Sequence, residues 1–332
     1  MLFPAPPEVP RIQFLRSFSG SSDLETESPL SKFLNITKTD FKIINKPYGI
    51  ATGNGKIYIC DSYQGTLDII DLTRNTLRIF TPLGFGALRK PINAALDSTG
   101  NLYITDTQRG DIVVFGPDLS FKKSIKGESL KPVDVDVRGD SVYIADMKDK
   151  NVEIWSASGN TKVADFPPPR EDTPDSLRLI EPVSLAVDKE RNVYVCDFGA
   201  FCVRKYDHEG KLIRTFGTLG KSSGQFARPK GITVDDEERL YVVDAAFENV
   251  QIFDKDGNLL LFFGGPYARP GNMYLPAQIT IDYQAMKWFE PYVLPGFKLQ
   301  YLLFVTNQFG PDKIGVYGFL TSASGETGSN GK

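Results

Sequence analysis

The sequence predicts an all-β protein, and three observations carry the prediction: a unit that recurs six times, an alternation of apolar and polar residues within each unit, and an N-terminal segment that matches the piece missing from the last unit. The six units share a proline, a strand, a short turn and a second strand ending in Asp or Asn. Their prolines are Pro47, Pro91, Pro132, Pro182, Pro229 and Pro276, spaced 44, 41, 50, 47 and 47 residues apart. A period of this size marks stacked units that cannot bury their faces alone, and the pitch suits a four-stranded blade. The predicted fold is a six-bladed β-propeller of four-stranded antiparallel blades.

The first strand of each unit starts at the proline, where the missing N–H gives up no interior ladder bond. The residues that follow are YGIAT, INAAL, VDVDV, VSLAV, KGITV and AQITI. Second strands read KIYICD, NLYITD, SVYIAD, NVYVCD, RLYVVD and, much later in its unit, YLLFVTN. The third strands are LDIID, DIVVF, VEIWS, VRKYD, VQIFD and IGVYG, and segments such as LIRTFG and LLLFFG supply the fourth. Alternation, richness in Val, Ile and Tyr, and turns at Gly, Asp or Asn are what half-buried antiparallel strands require.

The sixth unit departs from the pattern. Residues 283–300 are inserted between its first two strands, Asn307 replaces the repeated Asp, and no fourth strand follows 317–320. At the other end of the chain RIQFLRSFSG, from Arg11, matches KLIRTFGTLG, from Lys211. The N-terminus is therefore predicted to supply the outer strand of blade six, which closes the ring and removes an open edge. Residues 10–320 are read as one propeller, preceded by a Pro-rich spacer at 1–9 and followed by a flexible Gly/Ser-rich tail at 321–332.

These units resemble NHL repeats, the fifth most closely, with RPKGITVDDEERLYVVD followed by NVQIFDKDGNLLLFFG. The resemblance spans residues 46–317. It implies a six-bladed propeller and a scaffold on which partners or ligands dock.

Composition narrows the partners. With 41% hydrophobic and 24% charged residues and a formal charge of −3, the chain has the balance of a globular domain and no general excess of basic charge. Nucleic acid and anionic membranes need such an excess, so neither is expected as a partner. No apolar run is long enough to span a bilayer. Four prolines among the first ten residues read as an extended spacer of the kind that follows the cleavage point of an exported or lipid-anchored protein, so an extracytoplasmic location is expected, with the cytoplasm left open. Cys60, Cys196 and Cys202 are too few for a disulfide framework and lack zinc-site spacing. Cys196 and Cys202 flank one turn, which leaves a disulfide between them open.

The upper end of the propeller carries the starts of the first strands, the turns between second and third strands, and the connections between blades. Asp61, Asp106, Asp146, Asp197 and Asp244, with Asn307, should form a ring there. Either they surround a metal or, as favoured here, each accepts N–H groups in its own turn. The residues before the prolines, Lys46, Lys90, Lys131, Glu181, Arg228 and Leu275, are expected to pair with that ring. Two residues past each proline stand Gly49, Asn93, Asp134, Ser184, Gly231 and Gln278, variable positions in a symmetric scaffold and thus candidates for function. Asp134 and Asp136 depart from the apolar or Gly pattern and point to a polar or cation site; calcium, which takes oxygen ligands, would be held by Asp134, Asn93 and neighbours.

The turns are aromatic, with Tyr63, Phe198, Phe201, Phe247 and Phe309, and aromatics on loops mark partner surfaces. The insertion brings Trp288, Phe289 and Tyr292 to the lower face, either as a second partner surface or as padding. Two long upper connections, 21–45 and 164–180, add acidic clusters. No catalytic residue is identified. The chain has a single histidine, His208, which excludes a histidine-cluster metal mechanism and leaves little room for a Ser-His-Asp triad. The expected function is a non-enzymatic binding or assembly scaffold for a protein or small ligand; the alternative is a calcium-dependent enzyme resembling lactonase and lyase propellers.

Overall fold

Each unit folds into one antiparallel sheet in the computed structural model, which describes residues 1–24, 41–168 and 178–323. Blade 1 comprises Pro47–Gly53, Lys56–Asp61, Thr66–Asp71 and Thr76–Phe80. Blade 2 begins with Pro91–Leu96, blade 3 with Pro132–Arg138, blade 4 with Pro182–Val187 and blade 5 with Pro229–Val234. These first strands neighbour one another around the axis, and the last, Pro276–Asp282, lies beside Pro47–Gly53. The ring is six-bladed, as the repeat pitch predicts.

Blade six is closed by the N-terminus. Its strands Pro276–Asp282, Phe297–Asn307 and Ile314–Ser322 are joined on the outside by Ile12–Phe18, with Ile12 opposite Phe319 and Phe18 opposite Ile314. Pairing the first segment with the last satisfies the backbone edge that an open array would expose. The proline-rich start is not a detached spacer throughout: Leu2–Phe3 forms a short fifth strand against Ile12 and Gln13. The far tail, 324–332, lies outside the described residues.

Between blades the strands are apolar on both faces, so each interface is a continuous layer. The layer joining blade 1 to blade 6 packs Ile59 and Ile70 against Phe304 and Val316, with Phe18 from the N-terminal strand. Phe289 belongs to this same layer and is 1% exposed. Trp288 lies over the first turn of blade 1, where a Cβ on Gly55 would stand 2.8 Å from the indole ring. Two of the three aromatics expected as a lower-face partner surface are therefore packing, because an apolar loop beside an open interblade seam buries itself there first. Tyr292 stays 42% exposed, and its hydroxyl accepts from Arg16 at 3.0 Å. The disulfide left open by the sequence is absent: Cys60, Cys196 and Cys202 are free and buried.

One local feature positions the candidate site. Every first strand shifts register just after its proline, between Pro47 and Ile50, Pro91 and Ala94, Pro132 and Asp134, Pro182 and Ser184, Pro229 and Ile232, and Pro276 and Ile279. A bulge of this kind leaves residues out of the ladder and re-aims their side chains. Here it brings the residues after the first five prolines to the upper mouth and side chains two past the prolines, Asn93, Asp134, Ser184 and Gln278, together below them.

Candidate ligand site in the upper mouth

The ring of repeated carboxylates is built into the turns. Asp61 accepts the backbone N–H groups of Lys46, Tyr63 and Gln64 at 2.9–3.0 Å. Asp106 accepts from Arg89, Lys90, Gln108 and Arg109, and Asp244 from Ala227, Arg228, Ala246 and Phe247. Asp197 takes Ile180 and Glu181. Asp61, Asp106 and Asp244 thus tie the incoming connection to the second turn of their own blade, Asp197 holds the connection, and all four are fully buried. Asn307 does the same with its oxygen towards Tyr274 N–H and its amide towards the Asp312 carbonyl.

Backbone donors occupy both oxygens of Asp61, Asp106, Asp197 and Asp244 and one oxygen of Asp146, so the lysine side chains before the prolines are left over. The sequence expectation that they pair with these carboxylates fails, because the shorter path from each Asp is to the N–H of the same residues. Lys46, Lys90, Lys131 and Lys230 all line one cavity of about 370 Å³ at the upper mouth, and none forms an ion pair among the described residues. Tyr48, Ile92, Val133 and Val183 form its apolar wall, Phe198 adds an aromatic face, and Glu181 is the one acidic side chain in the lining among the described residues. The Lys230 ammonium lies 5.4 Å from the centre of the Phe198 ring and 5.9 Å from that of Tyr48, within cation–π range. Lys46 stands 5.4 Å from the Phe309 ring.

A polar neck lies below, made by the residues two past each proline. Asp134 is its centre. Its oxygens accept the Asn93 side-chain amide, the Ser184 hydroxyl at 2.5 Å, and the N–H groups of Val135 and Leu185 at 2.7 and 2.9 Å. The Gln278 amide donates to both Asp134 and Ser184 at 3.4 Å. Burial pushes the Asp134 carboxyl up to about 6 against the pull of those donors. Gly49 and Gly231 complete the ring by being absent as side chains: a Cβ on Gly231 would stand 1.9 Å from the Gln278 oxygen, and one on Gly49 2.4 Å from the Asn93 oxygen. The channel is thus filled at this level by four interlocked polar side chains. A calcium ion held by Asp134 and Asn93 would have to displace these donors.

Under the neck the channel widens again into a cavity of about 390 Å³, lined among others by Asp136, Arg138, Thr233, Asp236 and Thr280. It shares no lining residue with the upper mouth. Asp136 accepts Val187 N–H at 2.9 Å and pairs with Arg138 at 3.2 Å. The two aspartates singled out together in the sequence therefore both line this cavity, Asp134 from the neck above it and Asp136 from its wall.

Of the aromatic turn residues, Phe198 lines the mouth and Phe309 touches it through Lys46. Phe201 packs on Phe198 with ring centres 6.0 Å apart, Phe247 is half-buried, and Tyr63 is 75% exposed and outside the lining. Most of the acidic residues of the two long connections, Glu25, Glu27, Glu171, Asp172 and Asp175, lie outside the described residues. Asp23 is described and caps its loop through Ser19 and Gly20 N–H. Tyr48, Ile92, Val133, Val183 and Lys230, each one past a proline, are mouth residues the sequence reading missed. Their signal is faint, since a regular strand would turn them away from the axis and only the bulge brings them in.

No family model matches the chain, and no curated protein matches it. Solved structures do. Virginiamycin B lyase from Staphylococcus aureus is 15% identical, with 82% of this chain and 80% of that one covered and a TM-score of 0.54. A gluconolactonase from Xanthomonas campestris is 18% identical, covering 84% and 86% at a TM-score of 0.57. A protein of unknown function from Bacteroides thetaiotaomicron is 14% identical, covering 94% and 76% at 0.62. At such identities the likeness shows the six-bladed propeller alone.

Proposed function

We propose that this chain is a binding propeller of NHL type whose upper mouth holds a small organic anion with an apolar or aromatic part. The observation that carries the reading is the convergence of Lys46, Lys90, Lys131 and Lys230, none ion-paired among the described residues, on one cavity with an apolar and aromatic wall. Lysine ammonium groups supply mobile point charges for a carboxylate, sulfonate or phosphate, and Tyr48 and Phe198 offer flat surface for the remainder. The neck below closes the site, so ligand enters and leaves from above.

The enzyme reading rests on the likeness of fold to lyase and gluconolactonase propellers. A variant of the staphylococcal lyase with one histidine replaced by alanine is described as catalytically inactive. The single histidine of this chain, His208, lies in the exposed turn between the third and fourth strands of blade 4, on the lower side and away from the mouth. Binding without turnover is the reading that the site chemistry supports.

The test uses anilinonaphthalene sulfonate, an aromatic anion, as a fluorescent probe with citrate as competitor. Loss of one charged contact of this kind is worth about 1.5–3 kcal/mol, so Lys230→Ala or Lys131→Ala should weaken probe binding roughly tenfold or more, while Lys255→Ala, in a lower outer turn, should not. Equal affinity in all three variants would remove the mouth from consideration.

A further inference from the structure

We propose a divalent-cation site of the calcium class on the turn between the second and third strands of blade 3, formed by Asp146, Asp149 and Glu153. It is independent of the anion site and of the channel. One carboxylate oxygen from each of the three lies within 4.8 Å of the other two. Carboxylates so close repel one another unless a cation or a proton lies between them.

The second observation comes from comparing the blades. The ring carboxylates of blades 1, 2, 4 and 5 engage both oxygens with backbone N–H groups. Asp146 uses one. Its Oδ1 accepts from Lys131 and Lys148 at 3.0 and 2.8 Å, while its Oδ2 has no partner, although the residue is 0% exposed. In blades 2, 4 and 5 the second oxygen takes the N–H two residues before the proline; in blade 3 that residue is Leu130, which makes no such bond. A buried carboxylate oxygen without a donor is costly, and a cation is the partner that three converging carboxylates would accept. Burial and the facing charges of Asp149 and Glu153 also raise the Asp146 carboxyl above its ordinary value.

Glu153 is buried and already oriented: its Oε1 accepts from Lys162 at 2.7 Å and its Oε2 from the Trp155 indole at 2.8 Å. Lys162 is shared with Asp165 at 2.6 Å, so one ammonium serves two carboxylates and the cluster keeps a net negative charge. Each carboxylate oxygen retains a further lone pair for a metal. The ligand set is all oxygen, which selects calcium over zinc or copper, and Asp149 is exposed, so water can complete the shell. With three side-chain ligands, affinity on the order of 10⁻⁴–10⁻³ M is expected, as in extracellular calcium modules.

Trp155 provides the readout. Terbium(III), a calcium stand-in, should show saturable luminescence on tryptophan excitation of the full chain, reversed by calcium. Trp155→Phe should abolish the luminescence and keep the calcium-dependent rise in melting temperature; Trp288→Phe should leave both unchanged. Asp149→Asn, at an exposed position, should weaken calcium at least about tenfold without altering the calcium-free melting temperature. The proposal is overturned if the native chain shows neither saturable luminescence nor a melting shift at millimolar calcium. It is equally overturned if Asp149→Asn binds as tightly as the native chain.

Discussion

Asp68 is buried in the third strand of blade 1, with one carboxylate oxygen that has no hydrogen-bond partner. Burial, with the charge of Asp61 nearby, pushes it up to about 7. Asp134 in the neck is raised in the same direction, to about 6. A carboxyl whose folded value exceeds its unfolded value of about 3.9 holds its proton more tightly in the folded state. Its stabilising contribution is complete below about pH 4 and is lost as pH rises through about 6–7. The folded chain should therefore lose on the order of 2–4 kcal/mol of stability between pH 4 and pH 8 from each of these groups. Asp68→Asn should raise the urea midpoint at pH 8 and flatten the profile between pH 5 and pH 8; an undiminished slope in the variant would contradict the assignment. The repeated Asp, by contrast, is legible at this scale, because a carboxylate at a strand end finds the N–H groups of its own turn. Asp134 was visible as an oddity, but not as the hub of four interlocked side chains, since its partners come from three other blades.

Among the elements, the insertion of blade six differs most from its sequence reading. Its apolar residues suit either an exposed docking surface or a buried pad, and nothing local separates the two. The deciding fact is the seam between blades 1 and 6, which Phe289 enters to meet Phe18 and Phe304 with ring centres 6.3 and 5.7 Å apart. Truncating a buried Phe costs about 3–5 kcal/mol, so Phe289→Ala should lower the denaturation midpoint sharply, whereas Tyr292→Ala, at an exposed position, should cost under about 1 kcal/mol. Comparable midpoints for the two variants would show that the insertion does not pad the seam. The bulge after each proline also belongs to this scale. It is invisible to an alternation count, and it is why the mouth residues one past the proline escaped notice.

At the level of the whole molecule, stability rests on closure. Ile12 and Phe18 are fully buried, yet their strand partners lie some three hundred residues away, opposite Phe319 and Ile314. Removing residues 1–20 would open blade six and expose its backbone edge, so the truncated chain should lose its cooperative melting transition or aggregate. A truncated chain that melts as the native one does would defeat the closure.

The sequence by itself determined the number of blades, their strand order and the N-terminal closure, because pitch, alternation and matching ends are one-dimensional signals. The place of the variable residues near the axis was legible in the same way. The tertiary structure decided what those residues do. Whether a lysine pairs or remains unpaired, whether four polar side chains plug a channel, and whether a carboxylate oxygen lacks a donor all depend on groups from different blades meeting at a shared axis or turn. Those distances are set by the ring and are not encoded in any single repeat.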